Sequence, residues 1–154
     1  VNVSQLPPRC PQRLTGQWVA EKAAGGCHLN SDWLRNPAIE LLPSTFAQRS
    51  SFPSSYTLTL SRPPASWRAQ VKEDGVGCMM GLYVMTCDQD TTEPRFADGR
   101  EGLIAETRFV PQNSVELSVT IDWKALREAN KRVLILPATF EPNKVGPFLL
   151  EAAS

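Results

Sequence analysis

Prolines and glycines divide this chain into short segments. Its 154 residues include 13 prolines and 9 glycines, which are scattered between short apolar runs. Proline removes a backbone donor and ends helices, while glycine permits the backbone angles that tight turns require. Frequent turns between short apolar runs are typical of an all-β chain, and they argue against long helices.

Several apolar runs have the pattern of β-strands. In Tyr56–Leu60 and in Val115–Ile121, apolar and polar residues alternate, as they do in a strand buried on one face. Met79–Cys87 is the most apolar run and is predicted to be a central strand buried on both faces. About eight short strands with almost no helix predict an antiparallel two-sheet β-sandwich, and a β-barrel stays possible.

The remaining elements follow from turn and capping signals. Pro43–Ser54 is predicted to be a loop, and Asp122 to be the N-cap of a short helical turn over Trp123–Ala129. Ala105–Val110 is expected to pair with Val115–Ile121. The other expected strands are Gln17–Ala20, Ala38–Leu42, Arg132–Leu136 and Phe148–Glu151.

Size and charge limit the possible functions. A chain of 154 residues fits one domain with its own core, and residues 1–12 are Pro-rich, so we expect a linker at 1–12 and one domain at 13–154. Sixteen basic and sixteen acidic residues give no net charge, which argues against nucleic-acid binding. No apolar run approaches the roughly 20 residues that a transmembrane helix needs.

Two motifs near the ends of the chain give a family resemblance. The first is a Gly-x-Trp strand, an Ala-Gly-Gly-Cys turn, a second aromatic residue and Asn-Pro. The second is an apolar strand that runs through Pro-Ala-Thr-Phe into a short polar loop, a glycine and a last apolar strand. Their residues are Gly16, Trp18, Gly25, Gly26, Trp33, Asn36, Pro37, Pro137, Thr139, Phe140 and Gly146. The chain resembles the calpain-type β-sandwich, called domain III or the C2-like module, which follows the cysteine-protease core of calpains.

This resemblance implies a function without catalysis in this chain. It implies a regulatory or interaction domain that positions an upstream protease domain of the same chain, or that binds partner proteins or anionic membrane lipid. It also implies a cytoplasmic location, in part at membranes, and no required cofactor. The motif residues are then structural.

Cysteine and histidine content is low. Cys10, Cys27, Cys78 and Cys87 have no Cys-x-x-Cys spacing, and His28 is the single histidine, so a zinc site is not expected. Adjacent Cys27 and His28 side chains tend to point apart, so they are not expected to form a nucleophile and base. Reduced thiols are favoured, although two disulfides in an extracellular adhesion domain are an alternative.

An acidic connection offers candidate calcium ligands. Asp88, Asp90, Glu93 and Asp98 lie in one polar stretch before Gly102, and Ca²⁺ prefers several carboxylate or carbonyl oxygens. A solvated charged loop explains the same residues, and arginines interrupt the cluster. The alternative function is therefore a stand-alone Ca²⁺- and phospholipid-binding C2-like domain.

A small basic and aromatic group offers a second candidate contact. Arg62, Trp67, Arg68 and Lys72 lie close together in the sequence. Cations that approach an anionic membrane contribute about 1 kcal/mol each, and tryptophan favours the membrane interface. These four residues are therefore predicted to contact lipid or a partner protein.

Overall fold

The computed structural model of the chain describes residues 3–5, 12–20, 22–30, 33–63, 65, 79–89 and 102–153. Its strands are β1 (Val3–Gln5), β2 (Gln12–Trp18), β3 (Ala38–Leu41), β4 (Ser54–Ser61), β5 (Met80–Asp88), β6 (Leu103–Glu106), β7 (Ser114–Ile121), β8 (Lys131–Thr139) and β9 (Gly146–Ala153). Sheet A has the order β1-β3-β8-β5-β6, and sheet B has the order β2-β9-β4-β7. One core contains residues of both sheets, so the predicted all-β sandwich is confirmed.

The central strands of sheet A are buried on both faces. Alternate residues of β5, such as Leu82 and Val84, join the core between the sheets. The residues between them, including Tyr83 and Met85, form a second core on the outer face with Trp33. A strand enclosed on both faces has a continuous apolar sequence. The prediction that Met79–Cys87 is a central strand buried on both faces is therefore confirmed.

Sheet B shows the simpler alternation of a half-buried sheet. Tyr56, Leu58 and Leu60 of β4 are buried, whereas Thr57 is exposed. Strand β4 pairs with β7 along its whole length, and β7 repeats the alternation. The predicted period-2 strands are therefore present, and they lie next to each other.

The predicted pairing of the strand near residue 105 with Val115–Ile121 is wrong. Strand β6 pairs with β5 in sheet A, whereas β7 belongs to sheet B. After β6, Val110 still exchanges backbone hydrogen bonds with Met80 of sheet A. The chain crosses to sheet B only after Val110, so what resembles a hairpin loop in the sequence is a connection between the sheets.

The first strand lies in a segment where no regular structure was predicted. Strand β1 pairs in parallel with β3, from Val3 opposite Ala38 to Gln5 opposite Glu40. The Gln5 Nε2 donates to Glu40 Oε1 at 3.1 Å. Three residues are too few for a periodic pattern, so this strand is fixed by its neighbour rather than by its own sequence. One pair of the sandwich is therefore parallel.

Two short helices lie at the same end of the sandwich. Helix α1 (Thr45–Arg49) begins at Ser44, and α2 (Trp123–Glu128) begins at Asp122; each cap side chain accepts a backbone N–H at 3.1 Å. The Asp122 cap is confirmed, whereas Pro43–Ser54 was wrongly predicted to be loop throughout. Within the part of the chain described, neither helix has the length and apolar character needed to cross a membrane.

Candidate functional site

The two sequence motifs meet at one end of the sandwich, which we call the motif end. It consists of the connection from β2 to β3 and the turn from β8 to β9. The Cys27 backbone N–H donates to the carbonyl of Phe140 at 3.0 Å, and that of Asn143 donates to the carbonyl of Ala24 at 2.8 Å. Residues more than 100 positions apart are therefore held in one rigid surface.

Asn36 fixes the long connection from inside. It is 1% exposed, and its Oδ1 accepts from the Gly25 N–H at 3.1 Å. Its Nδ2 donates to the carbonyls of Gly26 and Trp33, both at 2.7 Å. Gly26 has a φ of +77°, and a Cβ there would lie 2.7 Å from the Pro142 nitrogen. Gly26 of the motif is thus required by backbone geometry, and Asn36 is required by its hydrogen bonds.

Trp18 connects the two sheets at the same end. Its Nε1 donates to the carbonyl of Pro137 at 3.1 Å, and its ring packs on Phe148 with the centroids 4.8 Å apart. The Arg62 guanidinium lies over the Trp18 ring at 5.0 Å and donates to the carbonyl of Val145 at 3.0 Å. A cation placed over an indole is attracted by the ring electrons.

This position of Arg62 differs from its predicted role. Arg62 is 2% exposed, so its guanidinium is buried and is not presented to a lipid headgroup. The other members of the basic and aromatic group, Trp67, Arg68 and Lys72, lie outside the described residues. Contact of that group with lipid stays a prediction for these three residues.

The second motif supplies the other wall of the motif end. The Thr139 hydroxyl donates to the carbonyl of Glu141 at 2.8 Å, and the Phe140 ring packs edge-on against Phe109. Gly146 has a φ of +139°, in a region that favours glycine. Each of these residues shapes the turn from β8 to β9.

Cys27 and His28 do not form a catalytic pair. The His28 ring meets the hydroxyl of Tyr83, with 3.0 Å between Nδ1 and Oη, and the His28 N–H donates to the same oxygen at 2.8 Å. Cys27 is 2% exposed, and its sulfur lies 3.6 Å from Asn30 Nδ2. A thiol enclosed in this way, with the imidazole held elsewhere, is not arranged as a nucleophile and base.

Comparison with known families decides the assignment. The family model described as calpain large subunit, domain III, matches residues 14–152. The chain belongs to this family. The comparison with individual curated proteins gives no match. Domain III is a non-catalytic domain, in agreement with the surroundings of Cys27 and His28.

Among the exposed large apolar side chains at the motif end of this domain III, Leu29 is the most exposed, and Val145 and Val19 follow at 47% and 42%. Leu29 is 74% exposed, although it lies in a turn closed by the bond from the Asn30 N–H to the carbonyl of Cys27. Asn30 Nδ2 also donates to the Phe140 carbonyl at 3.3 Å. The backbone around Leu29 is therefore fixed while its side chain points to solvent.

The opposite end, which we call the helical end, exposes two more. It consists of α1, residues 50–53 and α2, and it presents Phe46 at 79% and Phe52 at 77% exposure. The exposed cations Arg49 and Lys124 lie on the two helices. Arg127 Nη1 donates to the Ala47 carbonyl at 3.4 Å and connects α2 to α1.

The predicted calcium ligands are only partly within the described structure. Asp88 Oδ1 lies 2.7 Å from Lys131 Nζ, so this carboxylate already has a cationic partner. Asp90, Glu93 and Asp98 lie outside the described residues. Within the residues that are described, no group of three or more His, Cys, Asp or Glu side chains could hold a metal ion.

The most exposed apolar residues were missed by the sequence interpretation. Leu29 lies between His28 and Asn30, and Phe52 precedes Pro53. Phe46 follows Ser44 and Thr45 and precedes Ala47. An isolated apolar residue among turn-forming residues has few apolar neighbours in sequence to pack with. That signal identifies all three, and it does not depend on a motif.

Proposed function

We propose that this chain is a non-catalytic interaction domain of a calpain-type cysteine protease, and that its motif end packs against the protease core and positions it. The observation that carries the proposal is the exposure of Leu29 on a turn whose backbone is fixed. Membership of the domain III family supports the choice of partner, because such a domain is part of the calpain large subunit.

A fixed turn is an efficient place for a contact residue. Hydrogen bonds from Asn30 and Cys27 already hold the backbone, so little further ordering entropy is lost on association. Complete burial of a leucine side chain contributes about 1.5–3 kcal/mol. Leu29 can therefore act as a central apolar anchor of an interface.

The test measures binding of the 154-residue chain to a separately expressed calpain protease core by isothermal titration calorimetry. We expect Leu29→Ser to weaken binding about tenfold or more, which corresponds to about 1.4 kcal/mol. The matched control is Phe46→Ser, because Phe46 is equally exposed at the opposite end. Absence of binding by the parent chain, or equal binding by the Leu29→Ser protein, would overturn the proposal.

We also propose a second function, contact of the helical end with anionic membrane surfaces. Phe46 and Phe52 can enter the interface, while Arg49 and Lys124 remain among the headgroups. Two charges contribute about 2 kcal/mol near an anionic leaflet, and each inserted aromatic ring adds to this. A cytoplasmic protein would then be recruited reversibly to a membrane.

The membrane proposal is tested by co-sedimentation with vesicles of phosphatidylcholine and phosphatidylserine. We expect binding that is lost in the Phe46→Ser/Phe52→Ser protein and in vesicles of phosphatidylcholine alone, while Leu29→Ser has no effect. Equal sedimentation of the parent chain and of the Phe46→Ser/Phe52→Ser protein would contradict a role for the helical end. Repeating the assay with Ca²⁺ and with EDTA tests the alternative C2-like function, for which Asp98→Asn should remove any calcium-dependent increase.

A further inference from the structure

A short irregular segment connects α1 to β4 at the helical end. Residues 50–53 follow Arg49, the last residue of α1, and precede the first residue of β4. Ser50 is the C-cap of α1 and has extended backbone angles, with φ −80° and ψ 145°. Pro53 disfavours helical angles at Phe52. The chain therefore leaves the helix at Ser50 and crosses the surface as a bend before it enters the sheet.

The two serines of this segment differ in the accessibility of their hydroxyl groups. Ser50 is half-buried, and its Oγ accepts a hydrogen bond from the Phe52 N–H at 3.0 Å. This bond fixes the turn. Ser51 lies between them and is exposed. An enzyme can therefore reach the hydroxyl of Ser51 without breaking the bond that holds the turn.

The neighbours of Ser51 offer two recognition features to a protein kinase. Arg49 lies two positions before it and is exposed, and Phe52 follows it directly with 77% exposure. Carboxylates in the substrate cleft of a kinase can bind the guanidinium through charge-assisted hydrogen bonds. The extended angles at Ser50 separate Arg49 from the serine, so both side chains can be bound at once.

One phosphate would reverse the charge of the helical end. The exposed cations there are Arg49, Lys124 and Arg127, and the exposed carboxylates on α2 and its cap are Asp122 and Glu128. The cations therefore exceed the carboxylates by one charge. A phosphoserine carries about 1.5 to 2 negative charges at neutral pH, so the sum would become negative.

The position of the phosphate matters as much as its charge. Consecutive Cα atoms are about 3.8 Å apart, so a phosphate on Ser51 would lie beside Phe52. The ring of Phe52 is one of the two that we place in the membrane interface. Its insertion would bring the phosphate against the anionic headgroups, where like charges repel.

We propose that Ser51 is a phosphorylation site for a basophilic serine kinase, and that its phosphate releases the helical end from anionic membranes. In the reaction, Ser51 Oγ attacks the γ-phosphorus of ATP and loses its proton to a carboxylate of the kinase. The bond from this phosphorus to the β,γ-bridging oxygen breaks, and ADP leaves. The release rests on the membrane contact proposed above and gives that contact a regulator.

The first test determines whether Ser51 is modified. The 154-residue chain is incubated with Mg-ATP and a serine kinase that selects arginine two positions before its target, and peptide mass spectrometry should place a phosphoryl group on Ser51. Arg49→Ala should slow its incorporation at least tenfold. The matched control, Lys22→Ala, removes one exposed cation at the motif end and should leave the rate unchanged. Absence of phosphate on Ser51, or equal rates for the two variants, would overturn the proposed site.

The second test measures release by co-sedimentation with vesicles of phosphatidylcholine and phosphatidylserine. Phosphoserine incorporated at position 51 should weaken binding about tenfold or more, because each unit of charge near an anionic leaflet changes binding about fivefold. Ser51→Glu should weaken it at least threefold, and Ser51→Gln should bind like the parent chain. The matched control is Ser114→Glu, which adds the same charge at the exposed start of β7, at the other end of the sandwich, and should bind like the parent chain.

The outcomes distinguish failure of this proposal from failure of the membrane contact. If the unmodified chain does not bind these vesicles, the membrane contact is wrong and the proposed release is wrong with it. If the unmodified chain binds and phosphoserine at position 51 leaves binding unchanged, the membrane contact stands and the release is overturned. An equal loss in the Ser114→Glu protein would show an effect of net charge alone and would also overturn it. Unchanged thermal unfolding of the Ser51→Glu protein shows that its fold is intact.

Discussion

The indole Nε1 of Trp18 donates a hydrogen bond to the carbonyl oxygen of Pro137 at 3.1 Å, and this bond joins the last residue of β2 in sheet B to β8 in sheet A. The residue opposite Pro137 in β5 is Leu82, and its backbone bonds to Thr107 rather than to β8. The Leu82 N–H donates to the Thr107 hydroxyl, and the Thr107 N–H donates to the Leu82 carbonyl, both at 2.9 Å. Pro137 can therefore lack an N–H without breaking the ladder between β5 and β8. Its carbonyl remains available to the indole.

Trp18→Phe is expected to lower the free energy of unfolding by about 2–4 kcal/mol. The buried carbonyl of Pro137 loses its donor, and the smaller ring leaves space beside Phe148. Urea denaturation followed by circular dichroism measures the change. Phe52→Leu, at a 77% exposed site, is the control and should stay within about 0.5 kcal/mol of the parent. A Trp18→Phe protein as stable as the parent would show that the indole bond does not hold the sheets together.

Asn36→Asp is expected to destabilise the domain in a pH-dependent manner. The Asn36 amide donates to two carbonyl oxygens at 2.7 Å, and a carboxylate in its place would face both of them without a proton. Burial and these oxygens raise the pKa of the introduced carboxyl above its ordinary value of about 3.9. The neutral form is therefore the better tolerated one.

The direction of the pH effect follows from this shift. Below about pH 4 the introduced group is neutral in both folded and unfolded protein, and the cost is smallest. As the pH rises, the unfolded chain loses the proton first, so the stability of the variant relative to the parent falls until the folded group also ionises. Urea midpoints between pH 4 and 8 measure this, with Asn113→Asp as a control for added charge. A constant difference across this range would contradict the prediction.

Local patterns predicted the elements that are stabilised locally or fully enclosed. Tyr56–Leu60 alternates because one face of β4 meets the core, and Met80–Met85 is a continuous apolar run because both faces of β5 are covered there. Asp122 was identifiable as a cap because its side chain acts on the helix that follows it directly. In each case the sequence itself carries the interaction that fixes the element.

Elements that depend on distant partners were mispredicted. Strand β2 was expected to begin at Gln17 and begins at Gln12, because its inward positions include Gln12 and Gly16 and so hide the alternation. Strand β8 was expected to end at Leu136 and continues through Pro137. That continuation is possible only because Leu82 bonds to Thr107, a relation that the segment around Pro137 does not reveal.

The candidate site likewise contains some residues whose role the sequence predicted and others whose role it did not. Trp18 and Asn36 could be predicted as structural residues because the family motif contains them, and their contacts agree with that role. The family motif gives no information on exposure, which depends on which residues lie beside each side chain in the fold. Leu29 was therefore overlooked, and Arg62, which lies buried on Trp18, was expected at the surface.

A nearly buried ion pair on the outer face of sheet A provides another prediction. Glu40 and Arg132 retain 10% and 13% exposure of their side chains, and Arg132 Nη1 lies 3.7 Å from Glu40 Oε1. Arg132 Nε also donates to the Cys87 sulfur at 3.3 Å. Arg132→Met should lower the free energy of unfolding by about 3–5 kcal/mol, because it leaves a buried carboxylate without its cation.

Neutralising the partner should restore much of this loss. In Glu40→Gln/Arg132→Met no charge remains at the pair, and the side-chain amide can still bond with Gln5. A double-mutant cycle measured by urea denaturation should give a coupling of about 1 kcal/mol or more. The exposed pair Arg13 and Glu151 is the control, and its coupling should be well below that. Additive effects of Glu40→Gln and Arg132→Met would contradict the prediction.

The glycine of the Gly-x-Trp motif makes room for an aromatic ring. A Cβ at Gly16 would lie 2.5 Å from Phe148 Cζ, so Gly16→Ala should cost about 1–3 kcal/mol through overpacking. The ring cannot easily move away, because Phe148 is 2% exposed and packs on Trp18. Thermal and urea unfolding should show this loss, whereas Thr15→Ala, at the exposed neighbouring position, should stay within about 0.5 kcal/mol of the parent.

A compensating change tests whether the ring is the cause. Phe148→Leu shortens the side chain that faces Gly16, so Gly16→Ala/Phe148→Leu should be more stable than the sum of the two single changes implies, by about 1 kcal/mol or more. If the single effects simply add, the cost of Gly16→Ala would lie in the backbone and not in the contact with Phe148. The motif glycine would then be required for its conformation, although its backbone lies in an ordinary strand.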